Sequence, residues 1–143
     1  MPADTPTFAD ALLAYFRGLA AGANLGFAVA GYDASVPFVF ELHVGQSKKK
    51  RWNVDAAGTG LEYGVFYGGD IDIVQRLLNA PNSMPPFALL NLQDAVDLSR
   101  HLIRTTIDQM RFEPRFGTVG GHVDTITLTA ARTRFLLRKE LHV

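Results

Sequence analysis

After Thr7, the apolar residues Leu12, Leu13, Phe16, Leu19 and Ala20 recur at helical spacing and predict a helix over 7–20. Thr7 and Asp10 stand in the order of a capping box, hydroxyl first and carboxylate three residues on. Gly22 and Asn24 supply a stop. The period then changes to two. Residues 25–30 are short, small and apolar, and end at Gly31-Tyr32-Asp33. After Pro37, Phe38, Phe40, Leu42 and Val44 share one side of a predicted strand, and Val39, Glu41 and His43 share the other. A basic stretch holding Lys48, Lys49 and Lys50 leads into residues 51–57, which read as a returning strand. The pattern predicts a three-stranded antiparallel meander with the lysines in a solvated turn.

Gly58-Thr59-Gly60 breaks the alternation. A short helix is predicted over 70–78, with Ile71, Val74, Leu77 and Leu78 on one side and Asp70 and Asp72 in its first turn, where the helix dipole favours negative charge. Pro81, Pro85 and Pro86 make 79–87 a loop. Asn91 is the expected cap of the longest helix, with Asp94 three residues on. Val96, Ile103, Ile107 and Met110 form its apolar stripe, and Leu98 and Leu102 widen it. Pro114 and Gly117 end that segment, Gly120-Gly121 open a strand over 122–129, and a strand-like tail over 133–143 closes the chain. A βαβ alternation is missing. The expected fold class is α+β, a mixed, largely antiparallel sheet packed with helices in a single domain over 1–143, with 1–6 as a flexible terminus.

Composition narrows the chemistry. The 143 residues include 14 Lys plus Arg and 14 Asp plus Glu, so no net charge draws the chain to nucleic acid or an anionic membrane. Cysteine is absent, which excludes disulfides, thiolate metal sites and cysteine nucleophiles. No apolar run approaches the roughly 18–20 residues that span a bilayer, and no basic region precedes an apolar one at the N-terminus. The expectation is a cytoplasmic protein without nucleic-acid or membrane partners.

Four stretches carry a resemblance. They are Phe27 to Asp33, with its Gly31-x-Asp33 ending; Phe38 to Val44; Gly58-Thr59-Gly60 followed by Tyr63 and Gly64; and Leu92 to Met110 followed by Val119-Gly120-Gly121-His122-Val123-Asp124. In order and spacing they resemble the proteasome-type N-terminal-nucleophile (Ntn) hydrolases from about residue 27 to 140. The resemblance implies an incomplete version of that family's sandwich of stacked sheets between helix layers. Gly31, Asp33, Gly58, Thr59, Gly60, Gly120 and Gly121 are the family-matching positions. Peptide-cleaving members begin with a Thr, Ser or Cys whose own α-amino group is the base. Here no β-rich segment precedes Thr7, so the expectation is a C-terminal portion without the nucleophile strands. The family's Asp-x-x-Ser/Thr-Gly supporting motif falls on Phe116 and Val119, whose side chains make no hydrogen bond. Only Thr59 keeps a matching hydroxyl.

The sequence therefore predicts a degenerate or truncated proteasome-like subunit with no catalytic residue of its own. Its expected role is structural or in assembly, as a homo-oligomer or with a partner chain that supplies the missing strands. Two rivals remain: an active threonine peptidase subunit whose nucleophile segment lies upstream, and an unrelated small-molecule-binding α+β domain. Thr5 reads as part of a frayed terminus, and Pro2, if exposed by loss of Met1, leads towards a helix where a terminal-proline base would need a strand. Glu41 with His43, and His122 with Asp124, are each expected on one strand face, too few ligands for a metal site. No Gly-x-Ser-x-Gly elbow or Gly-Lys-Ser/Thr phosphate loop occurs, and no metal or other cofactor is expected. Lys48 to Arg51 with Trp52 reads as a solvated tip. An uncovered sheet is expected to expose Phe27, Val29, Phe38, Phe40 and Val123.

Overall fold

The computed structural model describes residues 4–81 and 83–138. In chain order it holds α1 (Thr5–Ala20), β1 (Gly26–Asp33), β2 (Val36–His43), β3 (Lys48–Arg51), α2 (Asp72–Asn79), α3 (Leu92–Met110), β4 (Thr125–Leu128) and β5 (Thr133–Leu137). A 3-10 turn at Phe87–Leu89 precedes α3. The succession of helix, three strands, two helices and two strands is the predicted one, and the class is α+β with two small antiparallel sheets. Among the described residues no helix is long and apolar enough to cross a membrane. Contacts divide the chain into two compact units, 4–63 with 128–133, and 64–127 with 134–138.

In the first unit, α1 starts earlier than the Thr7–Asp10 pattern predicted. Asp4 is the cap, its Oδ1 accepting the Thr7 N–H at 2.7 Å, and Pro6 takes an early helical position where its missing N–H costs nothing. Thr5, expected in a frayed end, is buried and donates its hydroxyl to the Tyr32 carbonyl at 3.2 Å. A Cβ on Gly31 would overlap the Thr5 side chain, so the glycine lets the helix start lie directly on β1.

The antiparallel order β1-β2-β3 pairs Phe27 with Leu42, Val29 with Phe40 and Gly31 with Phe38. Paired residues share a face, and this face meets α1. Ala9, Leu13, Val29, Phe40, Leu42 and Val44 form the buried core, with Phe16, Phe27 and Phe38 packed against it. The expected exposure of Phe27, Val29, Phe38 and Phe40 is therefore wrong, because α1 covers them. The opposite face carries Ala28 and Ala30, both exposed, with Tyr32, Val39, Glu41 and His43 half-buried. Val123, in the second unit, is half-buried as well.

The lysines were expected in a turn but form β3, with Lys50 opposite Glu41 and Lys49 opposite Leu42. The turn lies earlier and is closed by the Ser47 N–H on the Val44 carbonyl at 3.0 Å. The predicted return strand over 51–57 is also corrected. Beyond Arg51 the Trp52 N–H still reaches the Val39 carbonyl at 2.9 Å, and the Asn53 side chain then takes over the pairing, its Oδ1 accepting the Val39 N–H at 3.0 Å and its Nδ2 donating to the Pro37 carbonyl at 2.7 Å. A side-chain amide offers the same donor and acceptor as a peptide, so the backbone is free to leave the sheet.

In the second unit, α2 and α3 pack through Val74, Leu78 and Leu102, with Val65, Tyr67, Leu77, Phe87 and Leu98 around them. Asn91 and Asp94 make the predicted capping box on α3, at 3.0 and 3.3 Å. The buried stripe of α3 is Val96, Leu102, Thr106 and Met110, while Ile103, expected inside, is exposed. Asp70 lies outside α2, held by the Arg115 guanidinium through both carboxylate oxygens at 2.8 and 3.2 Å and by the Thr118 hydroxyl at 2.8 Å. Strand β4 is shorter than the predicted 122–129. Strand β5 ends at Leu137, and the last part of the predicted tail, 139–143, lies outside the described residues.

Asn53→Ala removes both substitute hydrogen bonds, leaving the Val39 N–H without its acceptor and the Pro37 carbonyl with the longer Arg51 guanidinium contact at 3.3 Å. A loss of about 1–3 kcal/mol is expected, read as a lower urea midpoint at unchanged slope. Asn53→Asp keeps an acceptor for Val39 and should lose less.

Candidate functional site

The densest polar arrangement of the first unit stands on the sheet face away from α1. Glu41 sits at the middle of β2, between Lys50 on one side and Ala28 on the other. Its Oε2 accepts the Trp52 indole N–H at 3.0 Å, and its Oε1 lies 3.0 Å from His43 Nε2. The Lys50 ammonium stands 3.6 Å from the centre of the Trp52 ring. The indole hydrogen bond, reinforced by His43 and the Lys50 charge, holds the Glu41 carboxyl below the ordinary glutamate range. The predicted sharing of a face by Glu41 and His43 is observed. Its chemical meaning is limited, because a carboxylate with both oxygens engaged and a lowered proton affinity is a poor general base at neutral pH.

His122 Nδ1 lies 3.4 Å from Asp124 Oδ1, also as a predicted pair, although both residues precede β4. His122 borders a groove of about 380 Å³ whose wall includes Arg104, Ile107 and Asp108 of α3. Among the described residues no group of three His, Asp or Glu side chains is placed to hold a metal ion. None of the hydrogen bonds among them joins a histidine to a serine or threonine hydroxyl.

The family-matching positions fall in three separate places. Gly31 lies under Thr5, and Asp33 ends β1 before a two-residue turn whose members, Ala34 and Ser35, both have positive φ (42° and 77°). That sign at both positions is the type I′ geometry suited to tight hairpins. Gly120 and Gly121 lie in the segment before β4, Gly121 with φ 87°. Gly58, Thr59 and Gly60 come together around a residue that sequence reading passed over, Asp55. Its carboxylate accepts the Thr59 N–H at 2.9 Å and the Gly60 N–H at 2.8 Å, and the Thr59 hydroxyl approaches at 3.4 Å. These donors, the Thr59 N–H foremost, lower the Asp55 carboxyl below its usual range. Gly58 turns the chain at φ 76°, and the loop closes on the bridge between Val54 and Leu61. The legible signal was an aspartate three residues ahead of a glycine, the composition of an Asx-type turn.

Arg115 and Glu113, also missed, form the largest ionic group of the second unit. Glu113 accepts from Arg76 at 2.8 Å and from Arg115 at 2.5 Å, and with Asp70 it ties the segment after α3 to the start of α2. Phe116, which falls on the supporting motif, is 90% exposed. No protein-family model, curated protein or solved structure matches the chain.

Two outcomes follow. Because Glu41 has a lowered folded-state pKa, the stability it contributes is complete above the unfolded glutamate value of about 4.3 and is lost as pH falls through the folded value. Below about pH 4.3, wild type should lose stability with falling pH more steeply than Glu41→Gln, in parallel urea titrations. Gly58→Val should destabilise by more than about 1 kcal/mol, since a branched residue resists positive φ. Equal melting temperatures for Gly58→Val and wild type would refute that.

Proposed function

We propose that this chain is a degenerate subunit of the proteasome-type Ntn hydrolase kind, without hydrolase activity of its own, that serves in assembly. One observation carries the reading. The β1-β2-β3 meander is covered by α1 on one face, while the far face carries the exposed Ala28 and Ala30. A sheet backed by a helix on one side only is what half of a stacked-sheet sandwich would present, and a further sheet from a second copy or a partner chain would complete it.

The side chains support the inactive form of this reading. Thr59 is occupied in the Asp55 loop, Glu41 is saturated by Trp52 and His43, and Phe116 and Val119 stand where polar support would be needed. A cytoplasmic setting without nucleic-acid or membrane partners agrees with balanced charge and absent cysteine.

The purified 143-residue chain should release no fluorophore from peptide substrates above the buffer blank. Turnover that a covalent threonine-directed inhibitor abolishes would overturn the proposal.

A further inference from the structure

Strands β1 and β3 are the two edges of the first sheet, and they are built differently. Every residue of β3 is charged, Lys48 to Arg51, which repels a second copy of the same edge. Residues 26–32 of β1 carry no charge. The Val44 N–H donates to the Leu25 carbonyl at 2.9 Å, which places Leu25 and the odd-numbered residues of β1 in the ladder with β2. Gly26, Ala28, Ala30 and Tyr32 therefore turn their backbone groups outward. Among the described residues the hydrogen bond reaching this outer edge is the Thr5 hydroxyl on the Tyr32 carbonyl.

Beside this edge α1 carries a second apolar stripe. Phe8, Leu12, Tyr15 and Leu19 follow one another at spacings of four, three and four, as in the seam of paired helices. Phe8, Tyr15 and Leu19 are 46, 63 and 66% exposed. Asp10 pairs with Lys49 of β3, so that flank of α1 faces the charged edge. At 3.6 residues per turn, Phe8, Tyr15 and Leu19 lie roughly 140–180° around the helix from Asp10, on the β1 side.

We infer that the chain forms a homodimer in which the β1 strands of two copies pair antiparallel and the α1 stripes meet above them. A pairing centred on Val29 sets Ala28 opposite the second copy's Ala30, and Gly26 opposite the second copy's Tyr32, so no two large side chains collide among the residues that turn their backbone outward. Two-fold symmetry keeps both α1 helices on one side of a continuous six-stranded sheet. With strands about 4.8 Å apart and α1 packed over β1 and β2, the two helices lie about 10 Å apart, the distance at which helices pack. A strand edge alone falls short of the roughly 1,200 Å² that a stable dimer buries, and the stripe supplies the remainder. The charge asymmetry of the edges selects β1 over β3. The inference deepens the assembly role proposed above but does not need the family likeness.

Sedimentation equilibrium at micromolar concentration should give twice the 15.7 kDa chain mass. Amide exchange at Ala28 and Ala30 should slow as concentration rises. Ala28→Pro removes an outward N–H without touching the β1-β2 ladder, and should weaken the dimer at least tenfold. Tyr15→Lys with Leu19→Lys alters exposed positions only and should do the same, with an unchanged circular dichroism spectrum. Lys48→Ala should have no such effect. A monomer at every attainable concentration, or a dimer indifferent to both the Pro and the double Lys variant, overturns the inference. So does a dimer broken only by Val39→Lys on the far sheet face, which would leave the assembly role standing. Peptide hydrolysis by an intact dimer would instead sink the proposed function and spare the dimer.

Discussion

The seating of α1 on the β1-β2 hairpin is the constraint on which the first unit depends. Leu42 and Ala9 are wholly excluded from water at its centre, and Val44 almost so. At one end the contact is closed by Thr5 over Gly31, where the hydroxyl reaches the Tyr32 carbonyl and no side chain intervenes. At the other, Phe16 lies against Phe27 with ring centres 4.6 Å apart. An isolated hairpin of this length is marginal in water, and its burial against α1 is what makes the three strands persist. Once α1 occupies that face, the remaining surfaces acquire their character by default. One edge is guarded by charge, the other carries uncharged residues with the Thr5 hydroxyl at its end, and the far face is left to small residues and the Glu41 cluster.

The second unit is held differently. Its helix pair buries a small cluster around Val74, Leu78 and Leu102, and the segment after α3 is fastened by ion pairs. Arg115 takes Asp70 on one side and Glu113 on the other, and Glu113 also receives Arg76. Both carboxyls are held below their ordinary ranges, Asp70 first by Thr118 and then by Arg115, Glu113 first by Arg76 and then by Arg115. Asp70 and Glu113 are half-buried while Arg76 is exposed, so salt screens the group in part and its worth lies in fixing the direction of the chain more than in stability.

The groups that sequence singled out as chemical are engaged with one another: Glu41 with Trp52 and His43, His122 with Asp124, Thr59 with Asp55. Such mutual satisfaction agrees with the assembly role proposed above, since a scaffold's polar groups must be paired. Among the described residues the outward backbone of β1 and the apolar stripe of α1 are the surface that the proposed dimer would use.

The sequence by itself determined the three helices and the β1-β2 hairpin, because periodicity and capping are local. Asn91 with Asp94 starts α3 through bonds that span three residues, and the alternation from Phe38 to Val44 gives the face that packs on α1. The pairing of Glu41 with His43 was legible for the same reason, since residues two apart on a strand share a side. What depended on distant partners was not legible. The lysines became a strand because β2 offered its ladder, and β3 ended because Asn53, 14 residues from Val39, replaced the backbone. Asp70 left its helix for Arg115, 45 residues away. Thr5 was buried by the strand carbonyl 27 residues on. Tertiary structure decided which apolar face each element hides, and so inverted the expected exposed set. A strand pattern gives two faces, but only the position of α1 determines which one meets water.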